Sequence, residues 1–372
     1  MLTTLTDRLK VNYQAFHVTT FGSDAAAPQT AIKAAGAMMD RLRATLLATG
    51  LIFSGYSAAI ANDSAAELSV GGLQFTRSPN VEMTREDLKL SLDRVSVRYE
   101  FMNTSSTPVT LTVAFPLPDI DLAEGESIAL PSSDPLNFVN FETRVDGKPI
   151  TFGTDQRAFV GDKEVTALLR ELKVSILPLG AQAFRPQDLA PATRERMVSE
   201  GLLMPAGSDE RGRPLYSPGW IVKTAVVRDQ TFPAGKPVIV EHTYRPSVGS
   251  TPDTILRKGL RQNRAMAKEI ERYRREYCIS DDFLQELDKT AGISQANNAG
   301  IQERRISYVL KTGANWAGPI KNFHLSIDRG ANGRLVSYCA GKLSASAKTP
   351  LDVTASDFTP DRNIKILFIG RF

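Results

Sequence analysis

One stretch of alternating polar and apolar residues decides the fold class: Arg94-Val95-Ser96-Val97-Arg98-Tyr99-Glu100-Phe101. Period-two alternation is typical of a strand with one buried face and one solvated face, as in an antiparallel sheet. Val109-Thr110-Leu111-Thr112-Val113-Ala114-Phe115 repeats the pattern after the turn cluster Asn103-Thr104-Ser105-Ser106, so we predict a hairpin. Pro116-Leu117-Pro118 then ends the second strand, because proline cannot donate to a ladder.

Further strands follow along the chain. Segments 138–145 and 149–152 flank Asp146-Gly147, a strong hairpin signal. Strands are also predicted at 220–228 and 237–244, and about five more after residue 304.

Helical spacing of apolar residues interrupts the strands in two places. The first predicted pair covers 162–174, with Asp162 as candidate N-cap, and a segment from after Asp188 to Gly201, before a polar loop over 206–218. The second pair covers 263–277 and 281–289, the latter capped by Ser280 or Asp281. Because the helices come in pairs, and not one between each two strands, we expect a mainly β fold. It would be an antiparallel β-sandwich, immunoglobulin-like or enlarged, with two helical insertions.

These elements predict five successive parts of the chain. They are an N-terminal extension (1–38), a signal peptide (39–61), an N-terminal sandwich part (62–160), a helical insertion (161–218) and a C-terminal β part (219–372) with a helical insertion at 255–290.

The export signal begins with the basic segment Met39-Asp40-Arg41-Leu42-Arg43. An uncharged apolar run over 44–60 follows, and Ala59-Ile60-Ala61 supplies the small-x-small cleavage pattern. This is the pattern of a cleavable secretory signal peptide ending near Ala61. Residues 1–38 precede it and are interpreted as the result of a misplaced start. The alternative is a cytoplasmic extension before an uncleaved anchor.

Composition indicates a globular protein and argues against a nucleic-acid-binding one. The 372 residues are 42% hydrophobic and 23% charged, with a net charge of +4. Without residues 1–61 the net charge is +2, which is too small to support nucleic-acid binding.

The two cysteines, Cys278 and Cys339, lie after the predicted signal peptide. In an oxidising compartment an isolated pair predicts a structural disulfide. A redox pair or metal ligands are the alternatives, although the spacing is not C-x-x-C and no histidine cluster accompanies the pair.

The sequence contains no phosphate-binding loop, H-E-x-x-H pattern, G-x-S-x-G elbow or EF-hand loop, so we expect no cofactor, no metal site and no assigned catalytic residue. The acidic positions after the second strand match no defined calcium loop: Asp119, Asp121, Glu124 and Glu126.

His242 and Tyr244 face one side of a predicted strand. His242 is therefore a candidate general base or ligand contact, and a half-buried structural histidine is the alternative. His324 is expected at the surface, because it points away from the apolar face of its strand.

Eight basic residues lie between Arg257 and Arg275, and Glu269, Glu271 and Glu276 interleave with them. A solvated helix face is the favoured interpretation, and a membrane-surface role is the alternative.

Several motifs together resemble the bacterial family called domain of unknown function 4424. They are Ala61-Asn62-Asp63-Ser64 with Gly71-Gly72-Leu73, Arg98-Tyr99-Glu100-Phe101 with Ala114-Phe115-Pro116-Leu117-Pro118-Asp119, Gln230-Thr231-Phe232-Pro233-Ala234-Gly235, His242-Thr243-Tyr244-Arg245-Pro246-Ser247-Val248-Gly249, Tyr277-Cys278, Asn315-Trp316-Ala317-Gly318-Pro319-Ile320 and Phe358-Thr359-Pro360. The resemblance implies an exported, β-rich protein of Gram-negative bacteria. It brings no established activity, and it leaves His242, Tyr244 and Trp316 as candidate binding residues.

We therefore expect a periplasmic protein that binds a protein partner or a small ligand without catalysis. It would have no nucleic-acid partner, and no membrane span once the signal peptide is removed. The alternative is a hydrolase of cell-envelope material that uses His242 with an Asp or Glu as acid and base.

Overall fold

The computed structural model describes residues 64–69, 72–123, 128–179, 185–296, 300–330, 334–343, 345–346 and 351–372. The predicted extension at 1–38 and the predicted signal peptide at 39–61 lie outside the described residues.

The strands of the described chain fall in two halves. The first half contains β1 (Ser64–Ser69), β2 (Gly72–Thr76), β3 (Val81–Leu90), β4 (Val95–Asn103), β5 (Val109–Pro116), β6 (Ile120–Asp121), β7 (Ile128–Ala129), β8 (Glu142–Val145), β9 (Lys148–Pro149), β10 (Gly153–Val160) and β11 (Lys163–Glu164). The second half contains β12 (Leu203–Ser208), β13 (Pro214–Pro218), β14 (Ile221–Phe232), β15 (Pro237–Tyr244), β16 (Val248–Thr251), β17 (Gln302–Tyr308), β18 (Ile320–Ile327), β19 (Leu335–Cys339), β20 (Ala345–Ser346), β21 (Asp352–Phe358) and β22 (Ile364–Gly370).

Helices occupy two regions between the strands. They are α1 (Thr166–Glu171), α2 (Pro191–Ser199), α3 (Lys258–Arg261), α4 (Ala267–Tyr277) and α5 (Asp281–Ala296).

The strands form three large sheets and one small one. Sheet A has the order β11-β10-β14-β5-β1-β2, with β6 also on β14. Sheet B has the order β21-β18-β3-β4-β15-β8-β9, and sheet C has the order β20-β19-β22-β17-β16-β7. The pairs are antiparallel except for β3 with β18, so the predicted mainly β, antiparallel fold is confirmed. Strands β12 and β13 pair separately.

The alternating stretch that opened the sequence analysis forms β4, and its apolar residues are buried while the intervening polar ones are half-buried. The predicted hairpin with β5 is wrong. Strand β4 pairs with β3 and β15 in sheet B, whereas β5 pairs with β14 and β1 in sheet A. The chain passes from sheet B to sheet A after Asn103, whose Nδ2 donates to the carbonyls of Thr107 and Phe232 at 2.8 and 2.9 Å. Both strands bury one face against the same core, so alternation alone cannot distinguish a hairpin from a crossing between sheets.

Of the predicted turns and caps, one hairpin turn and one helix cap are confirmed and one cap is wrong. Asp146 and Gly147 have φ of 48° and 76°, and they connect β8 to β9 as the predicted hairpin. Ser280 caps α5, because its Oγ accepts a hydrogen bond from the Phe283 N–H at 3.1 Å. The Asp162 cap is wrong: β11 follows Asp162, and α1 begins later, at Thr166.

The polar segment predicted as a loop over 206–218 is partly a hairpin, since β12 and β13 pair across it. Gly207 and Gly212 supply positive φ there. These polar strands lack the apolar alternation that would have revealed them.

Apolar side chains from all three large sheets meet in one core. Tyr99 of sheet B and Tyr308 of sheet C share a buried hydroxyl–hydroxyl hydrogen bond of 2.9 Å. A second cluster lies on the other face of sheet C, where Leu367 and Ile369 pack against α4 and α5. Strand β22 is therefore buried on both faces, which explains its nearly continuous apolar sequence.

The sulfur atoms of Cys278 and Cys339 lie at disulfide distance, 1.99 Å. Cys278 ends α4 in the left-handed conformation, with φ of 53°, and Cys339 ends β19. The pair connects the C-terminal end of the helix to sheet C.

Candidate functional site

His242 lies on β15 with its side chain in the core. The residue is 2% exposed, and its ring lies among those of Tyr99, Phe115 and Phe141, at centroid distances of 5.7, 5.0 and 4.9 Å. Aromatic rings at such tilted and edge-on contacts pack favourably. The imidazole is thus enclosed by rings from β4, from β5 and from the residue that precedes β8.

Tyr244 and Trp316 are also core residues. Tyr244 packs on Phe115 and Phe141 at 5.9 Å, and burial raises the pKa of its hydroxyl well above the usual range. Trp316 is 1% exposed and lies 4.5 Å from the Phe101 ring. Side chains buried in this way present little surface to a ligand, and their roles in binding stay predictions.

A polar cleft opens instead between α4, sheet C and the segment that contains β6. Its volume is about 300 Å³. Charged and hydroxyl groups dominate its lining: Asp119, Asp121, Ser247, Arg272, Tyr273, Glu276, Tyr277, Arg305, Ser307 and Lys365. We call this the α4 cleft.

Arg305 of β17 forms part of the cleft wall beside α4. Its Nη1 lies 3.1 Å from Oε1 of Glu303, whose side chain is 3% exposed, and the Tyr273 hydroxyl donates to the same oxygen. Burial opposes the charged form of Arg305, but the hydrogen bond with Tyr273 and the charge of Glu303 raise its pKa. A Cβ at Gly249 would lie 3.2 Å from Arg305 Nε, so glycine lets the guanidinium lie against the β16 backbone.

The helix side of the cleft carries a chain of ion pairs. Arg272 contacts Glu269 and also Glu276, the latter at 2.8 Å. Glu276 in turn accepts a hydrogen bond from Lys365 Nζ at 2.6 Å. Each of these cations is therefore neutralised by a carboxylate of the chain itself.

Asp119 differs from the other charged groups of the cleft. Its partner is Lys223, whose Nζ lies 3.9 Å from Oδ2, and the side chain is 38% exposed at the rim. Loss of hydration raises the pKa of the Asp119 carboxyl, and the charge of Lys223 only partly opposes this. Asp121 nearby accepts a hydrogen bond from the backbone N–H of Ala123 at 2.9 Å. This end of the cleft thus offers carboxylate oxygens to a hydrogen-bond donor or a cation.

The basic stretch over α3 and α4 is largely paired. Five of its eight cations contact carboxylates: Arg257, Arg261, Arg272, Arg274 and Arg275. Ile270 and Tyr273 of α4 are buried against sheet C. This pairing supports a solvated helix face.

Among the residues that the structure describes, no three or more His, Cys, Asp or Glu side chains are grouped to hold a metal ion. No helix in the same part of the chain combines the length and the apolar character needed to cross a membrane.

Comparison with known proteins gives one family. The model of a family described as a domain of unknown function, DUF4424, matches residues 61–367. The chain belongs to the DUF4424 family.

A comparison of this DUF4424 chain with curated proteins gives no match. One solved structure similar to it is that of a Legionella pneumophila protein described as a "putative nutrient binding protein". The identity is 13%, the match covers 84% of this chain and 71% of the other, and the TM-score is 0.34.

Three of the motifs behind the DUF4424 resemblance have a terminal residue in the lining of the α4 cleft. One motif ends at Asp119, another ends at Gly249, and a third begins at Tyr277. The sequence predicts no role for Asp119 or Arg305. The signal for Asp119 is its position at the end of a motif, whereas the histidine and aromatic candidates lie in the core.

Proposed function

We propose that this protein is exported to the periplasm and acts there as a non-catalytic binding protein, with a small polar ligand held in the α4 cleft. The observation that carries the proposal is Asp119, a carboxylate at the rim of a concave polar site whose nearest cation, Lys223 Nζ, lies 3.9 Å away. Its raised pKa agrees with this weak pairing, and carboxylates with a perturbed pKa concentrate at functional sites.

The charges in the cleft favour a ligand that donates hydrogen bonds. Arg272, Arg305 and Lys365 already face carboxylates of the chain, while Asp119 has only Lys223 at 3.9 Å. A ligand with an amino group or several hydroxyl groups would supply the donors that Asp119 lacks.

The alternative of a hydrolase built on His242 has no support from the packing. A general base must come within hydrogen-bond reach of the proton that it removes. The ring of His242 is enclosed by Tyr99, Phe115 and Phe141, and the residue is 2% exposed.

Export is proposed from the signal-peptide pattern over 39–61. The disulfide-distance pair of Cys278 and Cys339 supports it, because disulfides persist in oxidising compartments.

The test is isolation of the C-terminally tagged protein from the periplasm of its native host, followed by native mass spectrometry. We expect a chain that starts near Asn62 and carries a small molecule. Asp119→Asn should lose that mass, and Asp162→Asn, in an exposed turn outside the cleft lining, should keep it. A chain that starts at Met1 would contradict export. A bare chain, or equal occupancy in Asp119→Asn, would contradict binding in the cleft.

A further inference from the structure

The face of sheet B that points away from the core carries a row of alternating charge. Cross-strand register places His324 opposite Asp87, Asp87 opposite Arg98, Arg98 opposite Glu241, and Glu241 opposite Arg144. Directly opposite side chains in a sheet lie about 5 Å apart at Cβ. The row therefore runs across five neighbouring strands, from β18 to β8.

The acidic group at one end of the row is already neutralised. Asp87 accepts hydrogen bonds from Nε and Nη2 of Arg85 at 2.7 and 3.0 Å. His324 Nδ1 lies 3.6 Å from the same carboxylate, and its Nε2 lies 2.8 Å from Asp352 Oδ1. The hydrogen bond with Arg85 is the main cause of the lowered pKa of Asp87, so this carboxylate stays ionised and paired.

The other cations of this face have no such partner. Within the part of the chain that the structure describes, no carboxylate oxygen lies within 4.0 Å of a side-chain nitrogen of Lys89, Arg98 or Arg144. Arg144 Nη1 instead donates to the Gly147 carbonyl at 3.2 Å. Arg98 is half-buried at the centre of the row.

These side chains line a groove of about 590 Å³, which we call the sheet B groove. Four basic residues, Arg85, Lys89, Arg98 and Arg144, face it against two acidic ones, Asp87 and Glu241. Arg98 lies opposite both carboxylates in the register, and its charge acts on Asp87, which is also bound by Arg85. Four cations against two carboxylates leave the lining of the sheet B groove with an excess of two positive charges, in contrast to the α4 cleft.

We propose that the sheet B groove binds a ligand with a multiply charged anionic group, either a phosphoryl group or a cluster of carboxylates. Arg98 would hold the anion through its planar guanidinium, with Lys89 on the neighbouring strand β3 and Arg144 two strands away on β8, beyond Glu241. Strands β3 and β4 are central in sheet B, so Lys89 and Arg98 are carried on rigid elements, whereas β8 lies next to the edge strand β9. This second site is independent of the ligand proposed for the α4 cleft, because none of its residues lines that cleft.

Calorimetric titration of the purified protein tests the proposal, with pyrophosphate as the phosphoryl probe and citrate as the carboxylate probe. We expect saturable binding of at least one probe at low ionic strength, weakened as salt rises, because partly exposed charges are screened. Arg98→Gln should weaken that binding about 10- to 100-fold, the loss expected for one hydrogen bond to a charged group.

Arg94→Gln is the matched control, because it removes the same charge from an exposed turn next to β4, outside the groove lining. It should bind the probe as the unmodified protein does. Lys89→Gln is a second groove variant on an exposed position, and it should weaken binding even if Arg98→Gln proves unstable. Thermal melts of all three variants establish that they are folded.

Tight binding of pyrophosphate alone would identify a phosphoryl ligand, and tight binding of citrate alone a polycarboxylate; both outcomes support the proposal. Failure of both probes to bind at millimolar concentration would overturn it, as would equal affinity in Lys89→Gln, Arg98→Gln and Arg94→Gln. Asp119→Asn should leave probe binding unchanged, so this result is separable from the test of the α4 cleft.

Discussion

Replacing both Cys278 and Cys339 with serine removes the covalent connection between α4 and sheet C. The two cysteines are 61 residues apart, and a loop of that length costs the cross-linked unfolded chain about 14 cal/mol/K of entropy. The double variant should therefore lose about 4 kcal/mol of unfolding free energy at 25 °C. Serine, like cysteine, must adopt the left-handed φ of 53° at position 278, so the substitution leaves the backbone strain there unchanged.

The expected change in melting temperature follows from the size of the cooperative unit. Taken over the family-matched residues 61–367, an unfolding entropy of about 2.1 cal/mol/K per residue gives about 0.65 kcal/mol/K. A loss of about 4 kcal/mol then lowers the melting temperature by about 6 °C. Differential scanning calorimetry measures both quantities.

Reductant supplies the control for this experiment. Adding it to the unmodified protein should reproduce the melting temperature of the double variant, and adding it to the double variant should change nothing. A shift below about 1 °C in the double variant would refute the reasoning, since the connection would then not constrain the unfolded chain.

Three further outcomes are expected. Arg305→Met should destabilise the protein by about 3 kcal/mol in urea unfolding, because it leaves Glu303 buried without its cation, and adding Glu303→Gln should recover part of that loss. Asp119→Asn should raise the melting temperature at pH 7. The pKa of Asp119 is raised in the folded state, so its protonated carboxyl stabilises the folded protein at low pH. That stability is lost as the pH rises through the folded-state pKa. The gain should vanish below pH 3.8, where the aspartate is protonated as well, and a gain that is equal at both pH values would contradict this account. Tyr308→Phe should cost about 1 kcal/mol through its hydroxyl bond to Tyr99, and a double-mutant cycle with Tyr99→Phe in urea should give a positive coupling energy; a coupling of zero would contradict the bond.

The candidate site could be predicted only in part. Asp119 and Gly249 stand at the ends of motifs that the sequence displays, but Arg305 carries no local signal. Its neighbour in the ion pair, Glu303, is two residues away, and Tyr273 lies on a helix 30 residues earlier in the chain. The same holds for Arg98, whose place in a row of charges depends on the register of five strands.

Local features of this protein are readable in its sequence: the alternation that makes β4 a strand, the Asp146-Gly147 turn and the Ser280 cap. These follow from the conformational preferences of neighbouring residues and from which face of an element is apolar. The folded structure is needed to show that β4 and β5 belong to different sheets, that 203–218 forms a hairpin, and that His242 lies in the core. Strand pairing, enclosure by aromatic rings and the balance of charge in a cleft depend on residues distant in the chain, and no local pattern contains that information.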